Sequence, residues 1–206
     1  VSSVDSPGGA GPVGPVDPVG SVERPGPSAG SATRPVCVLV GPPGSGKTTV
    51  GVLVAQELGV SFRDVDADIE AIAGKPIPEI FADYGEEHFR ALERQAVAAA
   101  LDGFGGVLAL GGGAVMAPVT RERLRGHTVV YLSVELPDAA ARVGLGANRP
   151  LLAVNPRATL GRLIETRRPL YEQVATVTVP TGGRTPKQVA AEVAATLRHP
   201  AVSPPS

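Results

Sequence analysis

The chain predicts an α/β fold: a five-stranded parallel sheet with helices on both faces. Three observations lead there. Short runs rich in Val, Leu and β-branched residues recur at 35–40, 61–65, 106–110, 127–132 and 175–179, each brief enough for a strand buried on both sides. Longer helical patterns separate them, and such alternation favours parallel pairing through helical crossovers. A glycine-rich segment, GPPGSGKTT from Gly41 to Thr49, joins the first strand to the first helix.

In chain order, residues 1–34 hold seven glycines and six prolines, with valine as their only large apolar residue. They read as a disordered tail. Its charges nearly cancel, so it is neither a basic nucleic-acid arm nor an Arg-rich transit peptide, and it lacks the charged start and apolar core of a secretory signal. The folded body spans 35–198. KTTVGVLVAQELG places Val50, Leu53, Val54 and Leu58 on one helical stripe and stops at Gly59. PEIFADYGEEHFRALERQAVAAALDG reads as two helices broken near Gly85. Residues 96–119 carry one charge, Asp102, but six glycines and Pro118 divide them into a helix end, a strand and a loop, which excludes a membrane span. The last residues, 199–206, read as a second disordered tail.

A length of 206 residues sets the scale at one domain with appendages, and a net charge of −1 argues against nucleic acid or a membrane surface as partner. Cys37 is the single cysteine and sits in the apolar run PVCVLVG, where a buried strand thiol is expected. Cytoplasm is the expected compartment. His88, His127 and His199 have no ligand spacing.

The chemistry begins at Gly41. The G-x-x-x-x-G-K-[ST] spacing between a strand and a helix is a P-loop, whose backbone N–H groups turn inward around phosphate oxygens. Lys47 is expected to reach the β and γ phosphates and Thr48 to offer its hydroxyl to Mg²⁺. ATP or GTP binding follows, and the fold becomes a P-loop NTPase-type three-layer αβα arrangement. GVLAL runs directly into GGG with no aspartate at the end of its strand, so the acid has to come from FRDVDADIE. Asp64 and Asp66 are expected at the end of an extended strand, pointing to one side; the competing reading is a helix start capped by Asp66 or Asp68. Arg90 and Arg167 are candidate carboxylate clamps, because guanidinium forks match carboxylates bidentately. Taken singly, each also fits a surface helix charge.

With these pieces in place the chain resembles the shikimate kinase family, through GPPGSGKTTVG, FRDVDADIE, GKPIPEIFADYGEEHFRALE, LALGGGAV, GANRPLL and RRPLYEQVA, in that order, from about Pro35 to Leu197. The resemblance implies transfer of the ATP γ-phosphoryl group to the 3-hydroxyl of shikimate, by a monomer. It implies nucleotide contacts at Gly44, Ser45, Gly46, Lys47, Thr48, Thr49, Arg142, Arg149, Arg184 and Pro186, and Mg²⁺ held by Thr48 and Asp64. It places shikimate against Asp66, Arg90, Gly111, Gly112, Gly113, Arg167, Phe81 and Phe89, with substrate-binding helices at about 66–95. The two phenylalanines fit a core pair equally. A mobile lid is implied at 144–156, carrying Arg149 as a catalytic group beside Lys47 and Asp66.

Two alternatives stand beside this reading. Another small-metabolite kinase of the same fold, such as a gluconate kinase, shares the P-loop but not the combination of Asp66, Arg90, three glycines and Arg167; a nucleoside monophosphate kinase is disfavoured on the same ground. A nucleotide-dependent switch is suggested by DGFG at 102–105, but that segment precedes its strand and no N-K-x-D guanine reader exists.

Overall fold

The computed structural model describes residues 33–144 and 155–198. The expected tails, and the expected lid with Arg149, lie almost entirely outside these residues. The elements are β1 (Cys37–Val40), α1 (Lys47–Leu58), β2 (Phe62–Asp64), α2 (Val65–Ala73), α3 (Ile77–Gly103), β3 (Val107–Ala109), α4 (Pro118–Leu124), β4 (Val129–Ser133), α5 (Leu136–Arg142), α6 (Pro156–Val174), β5 (Val177–Pro180) and α7 (Pro186–Arg198), with a 3-10 turn at Ala114–Met116. The five strands form one parallel sheet in the order β2-β3-β1-β4-β5. Each falls within a residue or two of its expected place.

Successive residues of β1 feed opposite layers, as a period of two requires. Val38 and Val40 join a core with Ile69, Ile80, Leu101 and Tyr131, while Cys37 and Leu39 join a second with Val50, Val54, Val130 and Val193. Burial pushes the Cys37 thiol up to about 12. It therefore behaves as a small apolar group. Among the described residues no helix is long and apolar enough to cross a membrane.

The buried face of α1 differs slightly from the expected stripe. Val50, Gly51, Val54 and Ala55 are buried, while Leu53 and Leu58 pack at the margin of the second core. The reason is Gly51, whose missing Cβ leaves the space taken by the Phe62 ring, with Leu39 Cδ1 3.1 Å from where it would stand. Gly59, at φ 68°, ends the helix by giving its N–H to Ala55 and Gln56. The break expected near Gly85 is present as a kink within α3, at φ 79° and ψ 173°.

At Asp64 the expectation needs correction. The strand ends there, and Asp66 lies in the first turn of α2, so extended-strand alternation does not align the two carboxylates. Asp64 is the helix cap: its Oδ1 accepts the Asp66 N–H at 3.1 Å. Neither Asp66 nor Asp68 has that role, and Asp68 instead pairs with Arg63 at 2.7 Å.

Gly51→Ala should destabilise the fold by about 1–3 kcal/mol through overpacking against Phe62, although helix propensity alone favours alanine by about 1 kcal/mol. Urea unfolding of the two proteins checks the sign.

Candidate active site

Because β1 lies between β3 and β4, and the chain passes from β1 to the β2 side before returning, the switch in strand order falls at β1. Ligand crevices form at the carboxyl end of such a switch. The P-loop follows β1, Asp64 ends β2 and the three glycines follow β3, so all three meet at that rim.

On one flank is a cavity of about 450 Å³ lined by Gly44, Ser45, Gly46, Lys47, Thr48, Thr49, Arg142, Thr181, Arg184 and Pro186 among others. Every expected nucleotide-side residue within the described chain lines it, and Arg149 lies outside the described residues. Gly44 adopts φ 79°, and a Cβ there would stand 2.7 Å from the Ala139 carbonyl oxygen, so the loop can pass α5 only as glycine. Lys47 Nζ donates to the Gly41 and Pro42 carbonyls at 2.8 and 3.1 Å. Burial lowers its pKa to about 8, against the pull of the Asp66 and Asp64 carboxylates. Arg142 donates to Thr181 Oγ1 at 2.9 Å, to the Thr181 carbonyl at 2.6 Å and to the Gly44 carbonyl at 3.2 Å. It thereby ties the P-loop to the loop after β5. Arg184 is held by Glu192 at 2.6 Å and by the Pro180 carbonyl at 3.0 Å. Thr181 escaped sequence reasoning, although its position directly after the last strand marks it as a rim residue.

Between the flanks, Thr48 Oγ1 donates to Asp64 Oδ2 at 2.7 Å. A hydroxyl and a carboxylate at this separation are hard oxygen donors of the kind Mg²⁺ takes beside phosphates and water. No group of three or more His, Cys, Asp or Glu side chains among the described residues could hold a metal by itself.

The other flank is polar and crowded. Asp66 is half-buried, and its pKa rises to about 6, first through burial and then through Asp64, with Lys47 opposing. Arg90 donates from Nη1 to Glu93 Oε2 at 2.7 Å, pairs with Glu86 at 3.2 Å, and lies 5.2 Å from the Phe89 ring centre. Arg167 Nη1 donates to the Gly112 carbonyl at 3.1 Å. Glu93 is 3% exposed, and burial raises its pKa against the partial opposition of Arg90 and Arg167. Sequence reasoning missed it. Its place three residues after Arg90, one turn along a helical pattern, was the available signal.

The three glycines make room for the protein itself. Cβ atoms there would first strike protein: at Gly111 the Asp66 carboxylate and, at 2.9 Å, Glu93 Oε1; at Gly113 the Arg90 guanidinium; at Gly112 Pro43 of the P-loop at 3.3 Å. The loop is bare so that functional side chains can cross it. Phe81 and Phe89 lie 4.6 Å apart; Phe89 belongs to the first core and Phe81 packs against it, partly exposed.

The raised pKa of Asp66 carries a stability cost with a definite sign. The folded carboxyl binds its proton up to about pH 6 and the unfolded one only to about 3.8. Between those values the native state holds more protons, so stability falls as pH rises through the window. Asp66→Asn removes the cost. It should stabilise the protein by about 1–3 kcal/mol at pH 7.5 and by little below pH 4, as urea titrations at the two pH values will register.

A profile of the family described as shikimate kinase matches residues 43–198. A shikimate kinase of Salinispora arenicola is 73% identical over 79% of this chain and 98% of its own length, and one of Thermobifida fusca is 54% identical over 81% and 96%. In fold, a shikimate kinase from Acinetobacter baumannii, solved in complex with shikimate, superposes with a TM-score of 0.76 at 37% identity, covering 84% of this chain and 97% of that one. The P-loop, the acidic turn after β2, the bare loop after β3 and the two arginines therefore stand in a familiar setting: the chain belongs to the shikimate kinase family.

Proposed function

We propose that this protein transfers the γ-phosphoryl group of ATP to the 3-hydroxyl of shikimate. The observation that carries the proposal is the convergence of two guanidinium-bearing side chains, Arg90 and Arg167, on a bare glycine loop that also borders Asp66 and the P-loop. A carboxylate on a hydroxylated ring is the ligand such a flank suits, and the shikimate-bound relative supports it. ATP fills the other flank, with its phosphates on the P-loop N–H groups and Lys47 and its base toward Arg142, Arg184 and Pro186. Thr48 and Asp64 would hold Mg²⁺, which would supply charge neutralisation at the phosphates. Phe81, through its exposed part, borders the ring side.

The transferred group passes through a loose transition state, so positioning and charge stabilisation do most of the work. The ring hydroxyl oxygen bonds to the γ phosphorus as the bond to the β–γ bridging oxygen breaks, and ADP leaves with that electron pair. Lys47 must exchange two carbonyls for phosphate oxygens. Asp66, charged above about pH 6, accepts the hydrogen bond of the acceptor hydroxyl and fixes its line of attack, receiving the proton late. Arg149 is proposed to approach the phosphates from the segment 144–156 and, with it, to exclude water. The near-neutral charge supports a small molecule over nucleic acid or membrane as partner, and the reading extends to a monomer in the cytoplasm.

A coupled ADP-release assay with ATP and Mg²⁺, offering shikimate, quinate, gluconate and a nucleoside monophosphate in parallel, should register turnover with shikimate. Release with gluconate alone would overturn the substrate. Arg90→Ala should raise the KM for shikimate by about 100-fold, on the order of the 3 kcal/mol a charged hydrogen-bond pair supplies, while leaving the KM for ATP within twofold. Asp66→Asn with near-normal turnover but weak shikimate binding would assign Asp66 to positioning alone.

A further inference from the structure

The motif RRPLYEQVA contributes more to the site than Arg167. Four residues on, and thus on the same face of α6, Tyr171 donates its hydroxyl to the Gly112 carbonyl at 2.6 Å. Arg167 donates to the same oxygen at 3.1 Å, so one carbonyl receives two side chains from consecutive turns of one helix. A carbonyl oxygen has two acceptor sites, and both are taken. The Tyr171 ring is 1% exposed and stacks on Tyr131 of β4, with centres 5.2 Å apart and planes 23° apart. Tyr131 is itself 2% exposed. The hydroxyl therefore projects from a rigid stack anchored in the sheet, whereas the arginine beside it is half-buried and its fork of five donors reaches both the Gly112 carbonyl and the Tyr171 hydroxyl.

We propose that Tyr171 is a positioning residue for the acceptor flank: its hydroxyl holds the Gly112 carbonyl while Arg167 leaves that carbonyl for the substrate carboxylate. This rests on the proposed shikimate reading and goes beyond it. Arg167 cannot turn its fork fully onto a ligand without giving up the Gly112 oxygen. If no other donor stayed, the loop would lose its only side-chain tie to α6 at this carbonyl at the moment substrate arrives. With Tyr171 in place the loop keeps its N–H groups aimed, and Arg167 is released at low cost. Removing the hydroxyl makes Arg167 the sole side-chain donor to Gly112, so the carbonyl and the substrate compete for it. Tyr171 touches no reacting atom.

The test is Tyr171→Phe, which keeps the ring, its stacking and its volume. The expected result is a rise of about tenfold in the KM for shikimate, with kcat at saturation and the KM for ATP within twofold of wild type and a melting temperature within about 2 °C. Arg167→Ala, followed by the double variant, completes a cycle: adding Tyr171→Phe to Arg167→Ala should change the shikimate KM by less than twofold, since no competition is left to relieve. An unchanged shikimate KM in Tyr171→Phe overturns the inference. So does a joint fall in melting temperature and rise in both KM values, which marks a packing role, and so does a full tenfold effect persisting without Arg167. Wild-type protein runs in the same assay, and its failure to turn over shikimate would instead remove the functional reading on which the inference stands.

Discussion

The site depends on one absence. Between Leu110 and Ala114 the backbone runs so close to Asp66, Glu93, Arg90 and Pro43 that a β-carbon at Gly111 or Gly113 would displace the Asp66 carboxylate or the Arg90 guanidinium. Asp66, Arg90 and Arg167 come from α2, α3 and α6, and the glycines let them converge on a loop at the rim of the sheet. Any substituent there would push the acid, the arginine or the P-loop outward. The requirement is local packing of protein against protein, and the spacing of functional groups follows from it.

Around that bare loop basic and acidic groups crowd together. Lys47 lies within the influence of Asp66 and Asp64, Asp66 feels Glu93, and Glu93 feels Arg90 and Arg167. Each group is partly desolvated: the Asp66 and Asp64 carboxylates oppose the fall that burial causes at Lys47, and Lys47 opposes the rise that burial and Asp64 cause at Asp66. Such an arrangement is costly when empty. It is suited to accept a polyanion on one side and a carboxylate on the other, because each ligand adds charge of the sign the nearest side chains lack.

Much of this was legible in the sequence. Five apolar runs gave five strands because strands buried on both faces need little besides length and β-branched content, and the P-loop spacing is explicit. The kink at Gly85 and the stop at Gly59 were readable because glycine takes positive φ freely. The aspartate geometry was not: whether the strand ends at Asp64 or continues through Asp66 turns on a cap hydrogen bond, and both outcomes share one sequence. The face of α1 was misjudged at Gly51 because a glycine buried for lack of space looks, in a one-dimensional pattern, like a gap in the apolar stripe. Glu93 and Tyr171 were passed over for a related reason. Their partners, Arg90 and Gly112, lie respectively one turn away on a long helix and 59 residues distant, and only the second kind of closeness needs the fold to reveal it.

Asp64 offers both carboxylate oxygens to different helices. Oδ1 takes the N–H of Asp66 at the start of α2, and Oδ2 takes the hydroxyl of Thr48 at the start of α1. The helix that carries Lys47 and the helix that carries Asp66 are thus pinned at their first turns by a single residue. On the proposed reading, alignment of donor with acceptor is in that sense inherited from the folding of the chain, and the arriving substrates find the line already drawn.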